Sequence, residues 1–198
     1  MGLFGKKKAL DFDMVTTKGG DGGKSALYSG EFFSKDDIHF RVLGDIDELN
    51  SWLGVTRQAR QLDGKAGLPA SMTQQLHDVQ QLLYRLMSVV ATLPSNVAVY
   101  ATLKPLLETD VIELEHYQRA WLGATPIEAR FVIPGEVNLA SAQLDYARAL
   151  ARRCERSLVD FIRQVGGAQS NATDLYVGQK YLNRLSDYLF VLARHTEL

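Results

Sequence analysis

The chain has 198 residues, 46% hydrophobic and 23% charged, which suits one globular domain over 1–198 with a sizeable core. Its net charge of -1 excludes a global field that would draw in nucleic acid or a membrane surface, so any anion site must be local. The one cysteine, Cys154, excludes an intrachain disulfide and fits a reducing, cytoplasmic compartment.

In chain order, Met1 to Lys8 lacks the apolar core of a signal peptide, and Lys6 stands where a myristoylation motif wants Ser or Thr. Residues 1–13 read as a flexible basic tail. The run Thr16-Thr17-Lys18-Gly19-Gly20-Asp21-Gly22-Gly23-Lys24-Ser25 then packs four glycines, two lysines and three hydroxyls into ten residues. That chemistry wraps backbone N–H groups and ammonium charges around phosphates. It is a near-miss P-loop, because Lys18 occupies the place of the first Walker A glycine. Asp11 to Val15 make a poor preceding strand. A flexible linker is the plain rival reading.

Beyond Gly30 the pattern turns helical. Lys35-Asp36-Asp37 cap a first helix running to about Arg60, with Phe40, Val42, Leu43, Ile46, Leu49, Leu53 and Val55 as its apolar positions. Residues 64–69 form a break. A second helix carries Leu76, Val79, Leu83, Leu86 and Val90 on one stripe and stops before Pro94. A third runs from about Leu106 to Leu122, ended by Gly123. Phe131 to Gly135 form a short extended segment with a turn. A long fourth helix runs from about Val137 to Val165 and closes at Gly166-Gly167. The polar loop Ala168 to Thr173 leads to a last helix, Asp174 to His195. No alternating strand is expected after residue 30, and no internal repeat is visible. No apolar run approaches the roughly 18–20 residues of a membrane span. The expected fold is all-α: a five-helix up-and-down bundle behind an N-terminal glycine-rich nucleotide-binding loop.

Three places carry polar chemistry. Arg148, Arg152 and Arg156 recur every four residues along one face of the fourth helix, beside a packed face of Leu150, Cys154, Leu158 and Phe161. Four arginines and no lysine between 148 and 156 favour forked recognition of phosphate or carboxylate over a merely solvated face. On the last helix Asn183 and Asp187 share a face. On the first, Asp45, Asp47 and Glu48 face a cationic partner or water. Two features read as decoys. Glu113 and His116 have the ligand spacing of di-iron bundles, but such sites need a second copy of the motif. Cys154 between arginines reads as a packed thiol rather than a nucleophile.

Six segments in register give these pieces a common pattern: Thr17 to Gly30; Lys35-Asp36-Asp37; Gly44-x-x-Asp47-Glu48-Leu49-Asn50-Ser51; Phe131-Val132-Ile133-Pro134-Gly135; Arg148-x-x-x-Arg152-Arg153-x-Glu155-Arg156; and Tyr181 to Arg194. In this order they resemble the PduO-type ATP:cob(I)alamin adenosyltransferases. The resemblance implies transfer of the 5′-deoxyadenosyl group of ATP to Co(I) of a corrinoid, with release of triphosphate. It also implies a homotrimer with an active site at each subunit interface. Thr17, Lys18, Gly19, Gly20, Ser25 and Lys35 would wrap ATP. Arg152, Arg153, Cys154, Glu155, Arg156 and Asn183 would complete the nucleotide site. Asp47 would pair with the catalytic Arg148 across the interface. Phe131 would sit under the corrin and Asp187 near it. Mg²⁺ would arrive on the ATP phosphates, and a corrinoid reductase or a B12-dependent enzyme would be a partner. The chemistry agrees, because an attacking Co(I) needs no general base, whereas a leaving triphosphate needs cations.

Asp145 stands where the family pattern has His, Glu136 where it has a second glycine, and Ala26 where it often has a hydroxyl. The first two are expected to place negative charge near the site. They leave open a related bundle that binds nucleotide or corrinoid without turnover. A helical assembly protein without ligand is the third alternative.

Overall fold

The computed structural model describes residues 10–58, 68–166 and 170–198. The element order is α1 (Phe12–Val15), β1 (Lys24–Ala26), β2 (Phe32–Ser34), α2 (Ile38–Gln58), α3 (Ala70–Val90), α4 (Val97–Tyr100), α5 (Glu108–Gly123), α6 (Leu139–Phe161) and α7 (Ala172–His195). A π turn, Ile162–Gly166, extends α6.

Most helix starts have a local cause. Asp37 caps α2, its carboxylate accepting from the backbone N–H of His39 at 2.9 Å. Asp110 reaches back to the N–H of Leu107 at 2.7 Å at the head of α5. Asn138 caps α6 by accepting from Ser141 N–H at 2.8 Å. Its amide also donates to the carbonyl of Thr196 at 2.7 Å, which ties the start of α6 to the end of α7.

Helix α7 is the hub. It packs along α6 and α5 and touches α3, while α2 packs against α6 and α3. Tyr181, Leu182, Leu185, Tyr188, Leu189 and Leu192 of α7 are all buried. The packed face expected on the fourth helix is present: Leu150, Cys154, Leu158 and Phe161 are all within 3% of full burial. The whole stripe expected on α3 is buried too. On α2, Val42, Ile46, Leu49 and Leu53 enter the core, but Val55 stays exposed. The period brings Val55 round to the outer side of the helix.

Several expectations need correction. A strand does follow residue 30: β2 pairs antiparallel with β1, Ser25 opposite Phe33. Three residues are too few for alternation to show in sequence. Asp11 to Val15, read as a poor strand, form a single exposed helical turn capped by Asp11. Helix α7 begins at Ala172, inside the expected polar loop. The turn expected after Phe131 is present at Pro134 and Gly135, with Gly135 at φ 81°. Residues 1–9 of the expected tail, residues 59–67 and Gly167 to Gln169 lie outside the described residues.

At Gly178 the α7 backbone meets α3 so closely that a Cβ would lie 2.4 Å from Leu86 Cδ1. Gly178→Val should therefore lower unfolding stability by about 1–3 kcal/mol through overpacking, read as a shifted urea midpoint at unchanged slope.

Candidate functional site

The glycine-rich loop and the hairpin behind it form one unit. Lys18 takes a left-handed conformation at φ 56°, and Thr17 Oγ1 accepts weakly from the N–H of Gly19 at 3.4 Å. Turn bonds follow from Asp21 N–H to Lys18 and from Gly23 N–H to Gly20, both 3.2 Å. Strand β2 then carries Lys35 back over the loop. Its N–H donates to Gly23 at 2.8 Å, and its ammonium lies where a Cβ on Gly20 would be, 2.8 Å from Nζ. A side chain at 20 would displace the flexible end of Lys35 from this place. Thr17, Lys18, Gly19 and Lys35 are exposed, while Ser25 is half-buried.

The arginine stripe opens two clefts that meet at Arg152. One, of about 620 Å³, is lined by Arg152, Glu155, Arg156, Val159, Asp160, Arg163 and Asn183. Asn183 donates to Glu155 Oε1 at 3.0 Å and accepts from Arg184, which Glu115 holds at 2.8 Å. The other cleft, of about 360 Å³, joins Arg148, Arg152 and Asp187 to apolar Leu122, Ile127 and Phe190. One side is therefore polar and rich in guanidinium, the other half apolar. That pairing suits an anionic ligand beside a large hydrophobic one.

Two residues expected in the nucleotide site, Arg153 and Cys154, line neither cleft. Arg153 turns to α2, where its Nε meets Asp45 at 3.1 Å and its terminal nitrogen meets Glu48. Neighbours in sequence stand about 100° apart on a helix. Cys154 is buried in the same seam, its Sγ 3.0 Å from the carbonyl of Asp45. Burial, aided by the Asp45 charge, pushes this thiol up to about 12.

Asp47 and Asp187 are exposed and Phe131 fully so. Glu136 and Ala26 are also exposed. Arg163 extends the stripe through the π turn and was missed; continuing the spacing 152, 156, 160, 163 would have reached it. Glu113 accepts from Tyr117 at 2.8 Å, and His116 is exposed.

Asp145, expected to place negative charge near the site, lines neither cleft. It is buried and paired with Arg194 at 2.6 Å, their side chains 2% and 6% exposed. Arg194 is also bound by Glu197 at 2.8 Å and stacks over Phe190 at 5.1 Å. Arg148 Nε lies 3.7 Å from Asp145 and has no hydrogen-bond partner among the described residues.

A family model described as cobalamin adenosyltransferase matches residues 15–196. A corrinoid adenosyltransferase of Citrobacter freundii is 39% identical over 189 residues, covering 92% of this chain and 94% of its own length. The corrinoid adenosyltransferase MMAB of Bos taurus is 36% identical over 186 residues, covering 93% and 71%. A single-residue variant of the PduO-type ATP:corrinoid adenosyltransferase from Lactobacillus reuteri, complexed with cobalamin and ATP, aligns at TM-score 0.77 and 26% identity. That alignment covers 92% of this chain and 90% of the other.

The buried groups give two expected outcomes. At pH 8 the native Cys154 thiol should react with a disulfide reagent at least about a hundredfold more slowly than in unfolded chain. Arg194→Leu should cost about 3 kcal/mol in denaturant unfolding, because it strands a buried carboxylate.

Proposed function

The chain belongs to the cobalamin adenosyltransferase family, and we propose that Arg152 marks the point where its two substrates meet. The reaction is ATP-dependent adenosylation of a corrinoid. A Co–C bond forms between Co(I) and the 5′ carbon of ATP, the C5′–O bond breaks, and triphosphate leaves. No proton need move at the reacting carbon, so the residues' work is binding, alignment and charge stabilisation.

In this reading Arg152, Arg156 and Asn183 take the triphosphate, with Glu155 orienting Asn183. Thr17, Lys18, Gly19, Gly20, Ser25 and Lys35 close over the nucleotide from a neighbouring copy. Arg153 and Cys154 support the backbone of the site from behind. The half-apolar cleft beside Asp187 faces the corrin, and Phe131 covers its lower side. The full exposure of Phe131 supports this assignment, since an aromatic with nothing to pack on suits a planar ligand. Asp47, exposed and without an ion pair among the described residues, would meet Arg148 across a subunit interface. The five long helices are read as an up-and-down bundle within one domain over 1–198, assembled as a homotrimer in the cytoplasm. Mg²⁺ would ride on the phosphates, because no group of three His, Cys, Asp or Glu side chains converges among the described residues. A corrinoid reductase or a B12-dependent enzyme would exchange corrinoid with this site.

The observation that carries the reading is the single side chain shared by a guanidinium-rich cleft and a half-apolar one. Arg152→Ala should lower the rate of adenosylcobalamin formation from ATP and chemically reduced cobalamin by at least about a hundredfold. Its unfolding stability should stay within about 0.5 kcal/mol of the natural chain. Full activity in this variant would overturn the assignment, and unfolding would make the arginine structural.

A further inference from the structure

A chain of hydrogen bonds runs out of the polar cleft through residues that do not line it. Glu155 of α6 accepts from the Asn183 amide of α7 at 3.0 Å. The Asn183 oxygen accepts from Arg184 at 2.5 Å, and Arg184 Nε donates to Glu115 Oε1 of α5 at 2.8 Å. Asn183 and Glu155 line the cleft, whereas Arg184 and Glu115 line neither cleft. Three helices are thereby joined, from α5 on one side of α7 to α6 on the other.

The two ends of this chain force the orientation of the amide between them. A guanidinium can only donate, and an ionised carboxylate can only accept. Asn183 therefore has to turn its oxygen to Arg184 and its NH₂ group to Glu155. The flipped amide would set N–H against N–H on one side and oxygen against oxygen on the other. Glu155 uses one of the two N–H groups. The second remains, on a side chain that lines the cleft beside Arg152 and Arg156, and it is a donor for an anionic ligand.

The link from α5 depends on arginine. Adjacent residues on a helix stand about 100° apart, so position 184 meets α5 while position 183 meets α6. Arg184 covers that angle with a long stem and a forked head. Its Nε stays on Glu115 while a terminal nitrogen returns to Asn183. The Arg184 side chain is 38% exposed and that of Glu115 31%. An ion pair so open to solvent contributes little to stability, so its value lies in what it holds.

The geometry points to Arg184 and Glu115 as positioning residues for the nucleotide: Glu115 holds Arg184, and Arg184 holds the Asn183 amide with its free N–H toward the triphosphate. This rests on the reading of the polar cleft as the triphosphate site. A donor held this way meets phosphate without first having to be ordered.

The test is steady-state kinetics with ATP and chemically reduced cobalamin, each varied in turn. Arg184→Met should raise the KM for ATP at least about tenfold and leave the KM for the corrinoid within about twofold. Glu115→Ala should also raise the KM for ATP, and Glu115→Gln, which keeps an acceptor for Arg184 Nε, should restore most of the natural value. A double-mutant cycle separates positioning from bracing. In an Asn183→Ala background, Arg184→Met should change the KM for ATP by less than about twofold, because nothing remains for it to hold. An equal effect with and without Asn183 would overturn the proposal, since a residue that only braces helices acts whatever stands at 183. So would an unchanged KM for ATP in Arg184→Met, or a rise shared by both substrates. If Arg184→Met fails to fold, Glu115→Ala takes its place in the cycle. A natural KM for ATP in Asn183→Ala would remove the triphosphate reading and this proposal with it. A raised KM there, beside an unchanged one in Arg184→Met, would remove the proposal alone.

Discussion

The seam between α6 and α7 is the constraint on which the rest depends. Leu150 and Leu158 of α6 and Leu185, Leu189 and Leu192 of α7 are buried to the last few per cent. Burying such side chains contributes about 1.5–3 kcal/mol each, far more than any surface ion pair. The seam therefore sets the rotation of both helices. Once that rotation is fixed, Arg148, Arg152 and Arg156 have to emerge along one rim, and Asn183 and Asp187 along the other. The clefts follow from this packing, because they open where the two polar rims diverge. Corrinoid adenosylation asks the protein mainly to hold two large substrates in line, and a rigid seam between long helices does that well.

The charges follow a second rule: carboxylates near the seam are answered from inside the chain. Asp45 takes the Nε of Arg153 and the hydroxyl of Ser157. Asp145 takes Arg194, which Glu197 also binds. Of the arginines facing the clefts, Arg163 is held by Asp160 at 2.6 Å and Arg148 Nε lies 3.7 Å from Asp145, whereas Arg152 and Arg156 have no ion pair among the described residues and keep their charge for a ligand. The acidic residue at 145 is answered chiefly by Arg194 at 2.6 Å, and it reaches the cleft only through Arg148, 3.7 Å away.

Much of the helical layout was legible, because apolar residues at threes and fours must face a core. The misses have physical reasons. Strand β2 is held by pairing with β1 rather than by its own pattern. The turns α1 and α4 rest on local caps at Asp11 and Asn96. Arg153 and Cys154 joined Arg152 through the family resemblance; their side chains turn to α2, because neighbours on a helix stand about 100° apart. The Asp145 and Arg194 pair joins positions 49 apart, which no local pattern displays. Even so, each sits inside an apolar stripe, and a charge in such a stripe has to find a counter-charge.

The β-hairpin between the glycine-rich run and Lys35 has a consequence for how this chain tolerates change. Residues alternate sides along a strand, so adding one residue to either strand would flip every side chain beyond it. Lys35 would leave its place over Gly20, and Ser25 would change faces. An addition at the tip, around Tyr28 to Gly30, keeps both strands in phase. Length variation at this end of the molecule is therefore quantised: the tip can grow by any number of residues, but the strands cannot grow by one.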